Sequence, residues 1–413
     1  MVHKEAARKF VDNLLSDEAQ KEPTVPLKAG EVDLPEWFDE TRYNAACKFF
    51  WDNCYNVLGS MTVGLLTILA VPSILKVLIG SKRSSSPCTA YVRYLSTTLH
   101  MIVWFDDLKP GTISWKSLIE VRTRHLQAST SSNLKGTGII SQRDLALTQF
   151  GFFGLVILKP LEFGLCDDKG TLDAYTHFWR VIGYMIGIQD RYNICRETVE
   201  ETKEVCHLLM RRVFTPCLTN VPEYFEHMTH VLLDALSTFN PVVEAGSFMY
   251  MAKYLSEVPG YVLTENDMRQ IQDRIRKHLD GKSLDTGVDA TELVEESAVE
   301  GLMPNPKQNI LYFAHYQSLK TVPAYSQLQF KSKLLLEVIR FSAYLNTWYL
   351  GRIFLKVSFL IMLFFAKYLP ILAILKFGLK KAFVDMFKID PKDDTVPYTN
   401  GYYYSNQIVE NNL

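Results

Sequence analysis

Apolar residues recur at intervals of three and four from Trp37 to about Leu279, interrupted at Lys109-Pro-Gly, Lys135-Gly-Thr-Gly and Lys159-Pro. That spacing gathers apolar side chains on one face of a helix of 3.6 residues per turn, and alternating runs of strand type are scarce. The pattern predicts an all-α protein. Residues 1–36 are polar, contain Pro23, Pro26 and Pro35, and read as a loosely attached tail before a helical domain over 37–279. Residues 280–306 carry Asp285, Asp289, Glu292, Glu295, Glu296 and Glu300 with almost no aromatic residue, so they read as a flexible acidic insertion. A helical extension over 307–344, a membrane-associating segment over 345–382 and a polar tail over 383–413 complete the expected order.

Two stretches are apolar enough to concern a bilayer, for which ~20 residues suffice. Val57 to Ile79 contains a single charge, Lys76, and small residues such as Gly59, Ser60 and Gly64 that suit close packing. It fits a buried core helix or a span. Leu345 to Leu375 carries Arg352, Lys356 and Lys367, which fall within ~60° of one another on a helical wheel. A basic stripe on an apolar helix is the pattern of an interfacial anchor, and a span broken at Pro370 is the other reading. Membrane association is the expectation in either case. The N-terminus, beginning Met1-Val-His-Lys-Glu, lacks the apolar core of a signal peptide.

Composition narrows the classes further. The chain has 413 residues, 48% of them hydrophobic and 22% charged, which excludes global disorder. Its net charge of −1 gives no bulk electrostatic case for nucleic acid. The seven cysteines are odd in number, scattered, and never form Cys-x-x-Cys, so neither a zinc scaffold nor a disulfide framework is expected.

One helix stands out chemically. In Trp115-Lys-Ser-Leu-Ile-Glu-Val-Arg-Thr-Arg-His, Leu118, Val121, Arg122, His125 and Ala128 share a stripe, entered from a turn with a cap at Thr112 or Ser114. On the helix before it, Arg93 and Thr97 lie four apart on one face. A histidine and arginines on inward faces need partners. One reading is a core imidazole bonded to a carbonyl, with arginines paired to carboxylates of the protein. The other is a cofactor site, with neutral imidazole on a metal or haem iron and guanidinium groups on haem propionates. The pair His227 and His230 lacks a third ligand nearby, His177 reads as structural, and Gln142, Asp144 and Thr148 read as residues that cap and pin helices.

The ordered motifs resemble a known family. Arg93-x-x-x-Thr97, Val121-Arg122-Thr-Arg-His125, Gln142-Arg-Asp144 with Thr148 and Phe150, and Trp179-Arg-Val-Ile-Gly183-Tyr184-Met-Ile-Gly187 are together similar to the family of latex-clearing rubber oxygenases and the endoplasmic-reticulum oxygenase of mycophenolic acid biosynthesis. The resemblance covers roughly residues 43–205. It implies a globin-like helical domain holding haem b, with His125 as the iron ligand and Arg122, Arg93 and Thr97 beside the cofactor. It implies O₂-dependent cleavage of a carbon–carbon double bond in an isoprenoid or other apolar substrate, with Arg93 and Thr97 at the catalytic centre, in a protein on the cytosolic face of the endoplasmic reticulum. Three positions depart from the pattern: Ser129, Ser96 and Val77 stand where the family has an arginine, a lysine and an acidic residue. The same fold used for haem or lipid carriage, without catalysis, is the alternative.

Overall fold

A computed structural model describes residues 2–26, 33–134, 136, 138–261 and 323–397, so the acidic stretch over 280–306 lies outside the described residues. The chain divides into two units: Met1–Ser256 together with Phe330–Leu413, and Glu257–Gln329. Among the described residues of the second unit is one short helix, Pro323–Gln327 (α13). Within the described residues the protein is all-α, with one isolated bridge between Pro23 and Ser141.

The larger unit is built around Glu40–Leu69 (α3), which packs on Gln142–Leu158 (α7) and Lys169–Met185 (α8). Asp39 caps α3 by accepting hydrogen bonds from the Thr41 and Arg42 amides, satisfying donors that the first turn leaves orphaned. Gly64 and Gly151 let α3 and α7 approach until a Cβ at Gly64 would lie 2.0 Å from the Gly151 carbonyl oxygen. Phe50, Phe105 and Phe178 stack in series, at 3.8 and 4.1 Å between ring centroids. The stretch Val57–Ile79 is the buried second half of α3, a sharp bend of 94°, and Pro72–Gly80 (α4), with Pro72 in the first turn where its missing N–H costs nothing.

Next come Pro87–Trp104 (α5), started by a Ser86/Thr89 capping box, and Ile113–Leu134 (α6). Of the two expected caps of α6, Thr112 fills the role by accepting from the Trp115 amide, while Ser114 donates to the Val103 carbonyl. Val199–Leu209 (α9), Thr215–Thr219 (α10), Phe225–Leu236 (α11) and Ala245–Leu255 (α12) close this part of the unit.

Two expected tails are not tails. The N-terminal segment forms Val2–Leu14 (α1) and Asp17–Lys21 (α2), and α1 buries Ala7, Phe10, Val11 and Leu14 against α9. Polar composition concealed an amphipathic helix whose single apolar face suffices to seat it. At the other end, Phe330–Asn346 (α14), Tyr349–Tyr368 (α15), Ile371–Phe377 (α16) and Leu379–Ala382 (α17) lead into a strap over 383–397. The end of α17 and the strap lie on α5 and α6: Tyr91 donates to the Ala382 carbonyl, Arg124 to the Met386 carbonyl, and Asp393 accepts from Ser86 and Thr89.

Candidate functional site

His125 is a half-buried residue of α6, and the next turn of the same helix carries a shallow concavity of about 550 Å³ lined by Leu126, Gln127, Thr130, Ser131 and Leu134. Its ring is partly covered, and its Nδ1 is fully sequestered without a hydrogen-bond partner. Burial first, and then the positive charge of Arg93, push its pKa down to about 4, so the imidazole is neutral near pH 7. Neutral imidazole with an uncommitted nitrogen is what ligation to a metal requires.

Arg93 reaches this place from α5. Its Nη1 donates to Ser81 Oγ at 3.0 Å, and among the described residues it has no carboxylate within ion-pair distance. Thr97 shares its face of α5, but the hydroxyl donates to the Arg93 carbonyl at 2.9 Å, so it stiffens the turn that carries Arg93.

Arg122 does something different from what was expected. Its guanidinium donates to the carbonyls of Val25 (3.0 Å), Pro26 (3.3 Å) and Met185 (3.3 Å), and the residue is 9% exposed. It clasps the segment after α2 to the end of α8 and has no donor directed at a cofactor. Gly187 makes this possible, since its φ is +103° and a Cβ there would lie 3.1 Å from Arg122 Nε. Gln142 belongs to the same clasp, donating to the Pro23 and Gly187 carbonyls and accepting from the Gln189 amide. Asp144 accepts from Ser73 Oγ at 2.6 Å.

Residues that motif reading did not single out complete the surroundings. Arg83 donates to the Asp390 carbonyl, and its pKa is lowered first by burial, then through the charges of Arg93 and Arg124 although Asp390 opposes this. Arg124 pairs with Glu120 at 2.7 Å and donates to the Met386 and Lys388 carbonyls. The Met386 carbonyl also faces His100 Nε2 at 2.7 Å and Ser96 Oγ at 3.4 Å. The strap therefore lines the α5–α6 face, held by a cluster of cationic side chains. No local signal could reveal this, because the partners lie more than 260 residues apart.

The departing positions are also committed to structure. Ser96 contacts the strap, Ser129 accepts from the Ile140 amide at 2.9 Å, and Val77 is a half-buried residue of α4. His177 accepts from the Asp39 amide and His227 faces the Ser85 carbonyl. Among the described residues no three His, Cys, Asp or Glu side chains gather as a metal site, whereas haem iron needs only one protein ligand.

No model of a known protein family matches the chain. A rubber oxygenase of Streptomyces sp. (strain K30) is 27% identical over 120 residues, which is 28% of this chain and 28% of that protein. The matched stretch thus spans under a third of that relative's length. A solved structure of latex clearing protein in the closed state aligns over 71% of this chain and 86% of its own, at 18% identity and a TM-score of 0.45. Within the matched stretch the sequence is similar to a rubber oxygenase, the family that the ordered motifs resemble.

Proposed function

We propose that the chain is a haem-dependent oxygenase that uses O₂ on an apolar, isoprenoid-type substrate, with His125 as the iron ligand. The observation that carries this reading is His125 itself: a neutral imidazole with a buried, unpartnered nitrogen, beside an arginine that has no carboxylate partner among the described residues. His125 fits iron ligation and Arg93 fits a propionate carboxylate, which guanidinium binds well. Arg122 does not fit, since its donors are occupied by main-chain carbonyls. Bound there, haem would supply O₂ activation for cleaving a carbon–carbon double bond into two carbonyl groups, which consumes both oxygen atoms. The polypeptide's part is to keep His125 neutral, to orient Arg93 through Thr97 and Ser81, and to cover the α5–α6 face with the strap.

A second reading, haem carriage without turnover, is favoured by one feature. Three polar groups of α5 and α6, Ser96, His100 and Ser129, are engaged in structural hydrogen bonds, which leaves none of these three free as a general base. Titration with haemin separates the readings. Wild type should develop a Soret band at one equivalent, His125→Ala should lose it, and Arg93→Met should weaken binding. Oxygen uptake with a geranylgeranyl or polyisoprene substrate then reports turnover. A haem-loaded protein that consumes no oxygen with either would establish carriage, and a His125→Ala protein that binds haem like wild type would refute both.

A further inference from the structure

Large apolar side chains are exposed very unevenly. Among the described residues, all but four of them (Ile113, Leu134, Leu161 and Tyr184) lie from Phe330 onward. Helix α15 buries only Leu355, Phe359 and Ala366 against the body, while Leu350 is 75% and Phe354 63% exposed. Phe341 of α14, Trp348 at the N-cap of α15, and Ile371 and Leu375 of α16 are exposed as well. Soluble monomers seldom carry a contiguous apolar patch beyond a few hundred Å², so this surface needs an occupant.

Two further observations say which. Residues 330–397 contain eleven lysines and arginines against five acidic residues, in a chain whose net charge is −1. An isologous contact with a second copy would bring that excess of like charge face to face. Anionic headgroups instead complement it, and aromatic residues flanked by snorkelling lysines suit the interfacial zone. In addition, α15 is tied to one body before, within and after its length. Asn346 donates to Asn53 Oδ1 and the Gly164 carbonyl, Lys356 pairs with Asp52 at 3.6 Å, and Lys376 pairs with Asp234 at 2.6 Å. A 20-residue helix is about 30 Å long, and spanning a bilayer would carry its two ends to opposite sides. These ties hold both ends to the same body.

We infer that α14, α15 and α16 form a rigid docking surface on which the protein lies in the plane of an anionic lipid bilayer, without crossing it. The surface does not depend on the haem assignment, and the haem-free chain should bind lipid equally well.

The test is flotation of the full chain with preformed vesicles of phosphatidylcholine, alone or with phosphatidylserine. The chain should float with both, about tenfold more strongly with phosphatidylserine, and salt should erase the difference. Phe354→Glu with Ile361→Glu should abolish flotation, whereas Leu134→Glu, on an exposed site elsewhere, should leave it unchanged. Lys380→Ala with Lys381→Ala, at the end of the same basic segment, should weaken the phosphatidylserine preference and leave binding to phosphatidylcholine vesicles unchanged. All these positions are exposed, so far-ultraviolet circular dichroism should remain that of wild type. Three results would overturn the inference: no flotation of wild type, flotation of the glutamate variant, or protection of a C-terminal epitope from protease added outside the vesicles, which would show a span. A lipid-free dimer by light scattering that the glutamate variant dissolves, with no vesicle binding, would assign the surface to a second copy.

Discussion

His177 links the start of α3 to α8, and its protonation should cost the protein stability in acid. Its Nε2 accepts the Asp39 amide at 3.0 Å, its ring meets Trp37 edge-on at 5.8 Å, and the residue is 3% exposed. Burial, then the charges of Arg42 and Arg180, push its pKa down from 6.5 to about 4, although Asp39 opposes them. A histidine with a lowered folded pKa adds no pH dependence above about 6.5, where both states are neutral. Below that value the unfolded chain takes up the proton first, and stability falls until the pH nears 4. At pH 5 the difference is about 2 kcal/mol by linkage, approaching about 3 kcal/mol at lower pH. His177→Gln keeps an acceptor for the Asp39 amide and cannot titrate. Urea unfolding of both proteins at pH 8 and pH 5 gives a double difference in which the other histidines cancel. The variant should lose about 2 kcal/mol less than wild type between the two values. Equal losses in the two proteins would show that His177 takes up its proton in the folded state as readily as in the unfolded chain, and the reasoning would fail.

Two other substitutions test the scaffold around the site. Gly64→Ala should destabilise the protein by about 3 kcal/mol, because the new methyl meets the Gly151 main chain and the two helices have to part; a thermal melt unchanged from wild type would refute that close contact. Arg122→Met should leave the carbonyls of Val25, Pro26 and Met185 unpaired, at a cost of about 2 kcal/mol, and should speed proteolytic cutting beside residue 26. The haem spectrum of Arg122→Met should match wild type; a lost Soret band with the segment still protected would restore Arg122 to the cofactor.

The fold class was legible because helical periodicity is a local property. The cap at Thr112, the caps and pins at Gln142 and Asp144, and the structural role of His177 could be anticipated from side-chain chemistry at helix starts and inward faces. The ends of the chain were misread for a physical reason. Polar composition describes the outward faces of α1 and of the C-terminal strap, whereas their attachment depends on a few residues: Phe10, Val11 and Leu14 at one end, the Met386 carbonyl and Asp393 at the other. An average over a segment does not register three buried side chains or one shared carbonyl.

The site shows the same limit more sharply. His125 and Arg122 lie three residues apart on one helix and belong to one motif, so their sequence context treats them alike. The structure separates them by what surrounds each. Arg122 meets the bare carbonyls that follow α2 and end α8, and every guanidinium nitrogen has a main-chain acceptor. His125, turned roughly 60° around the helix, meets another cation and no acceptor for its buried nitrogen. A buried donor or acceptor left unpaired costs about 1 to 3 kcal/mol, and within this motif the fold satisfies Arg122 while leaving that cost at His125 Nδ1. The partner that relieves this cost has to bond an imidazole nitrogen and tolerate the field of Arg93. In the reading proposed above, a cofactor with a Lewis-acidic centre and anionic edges would meet both requirements in one group.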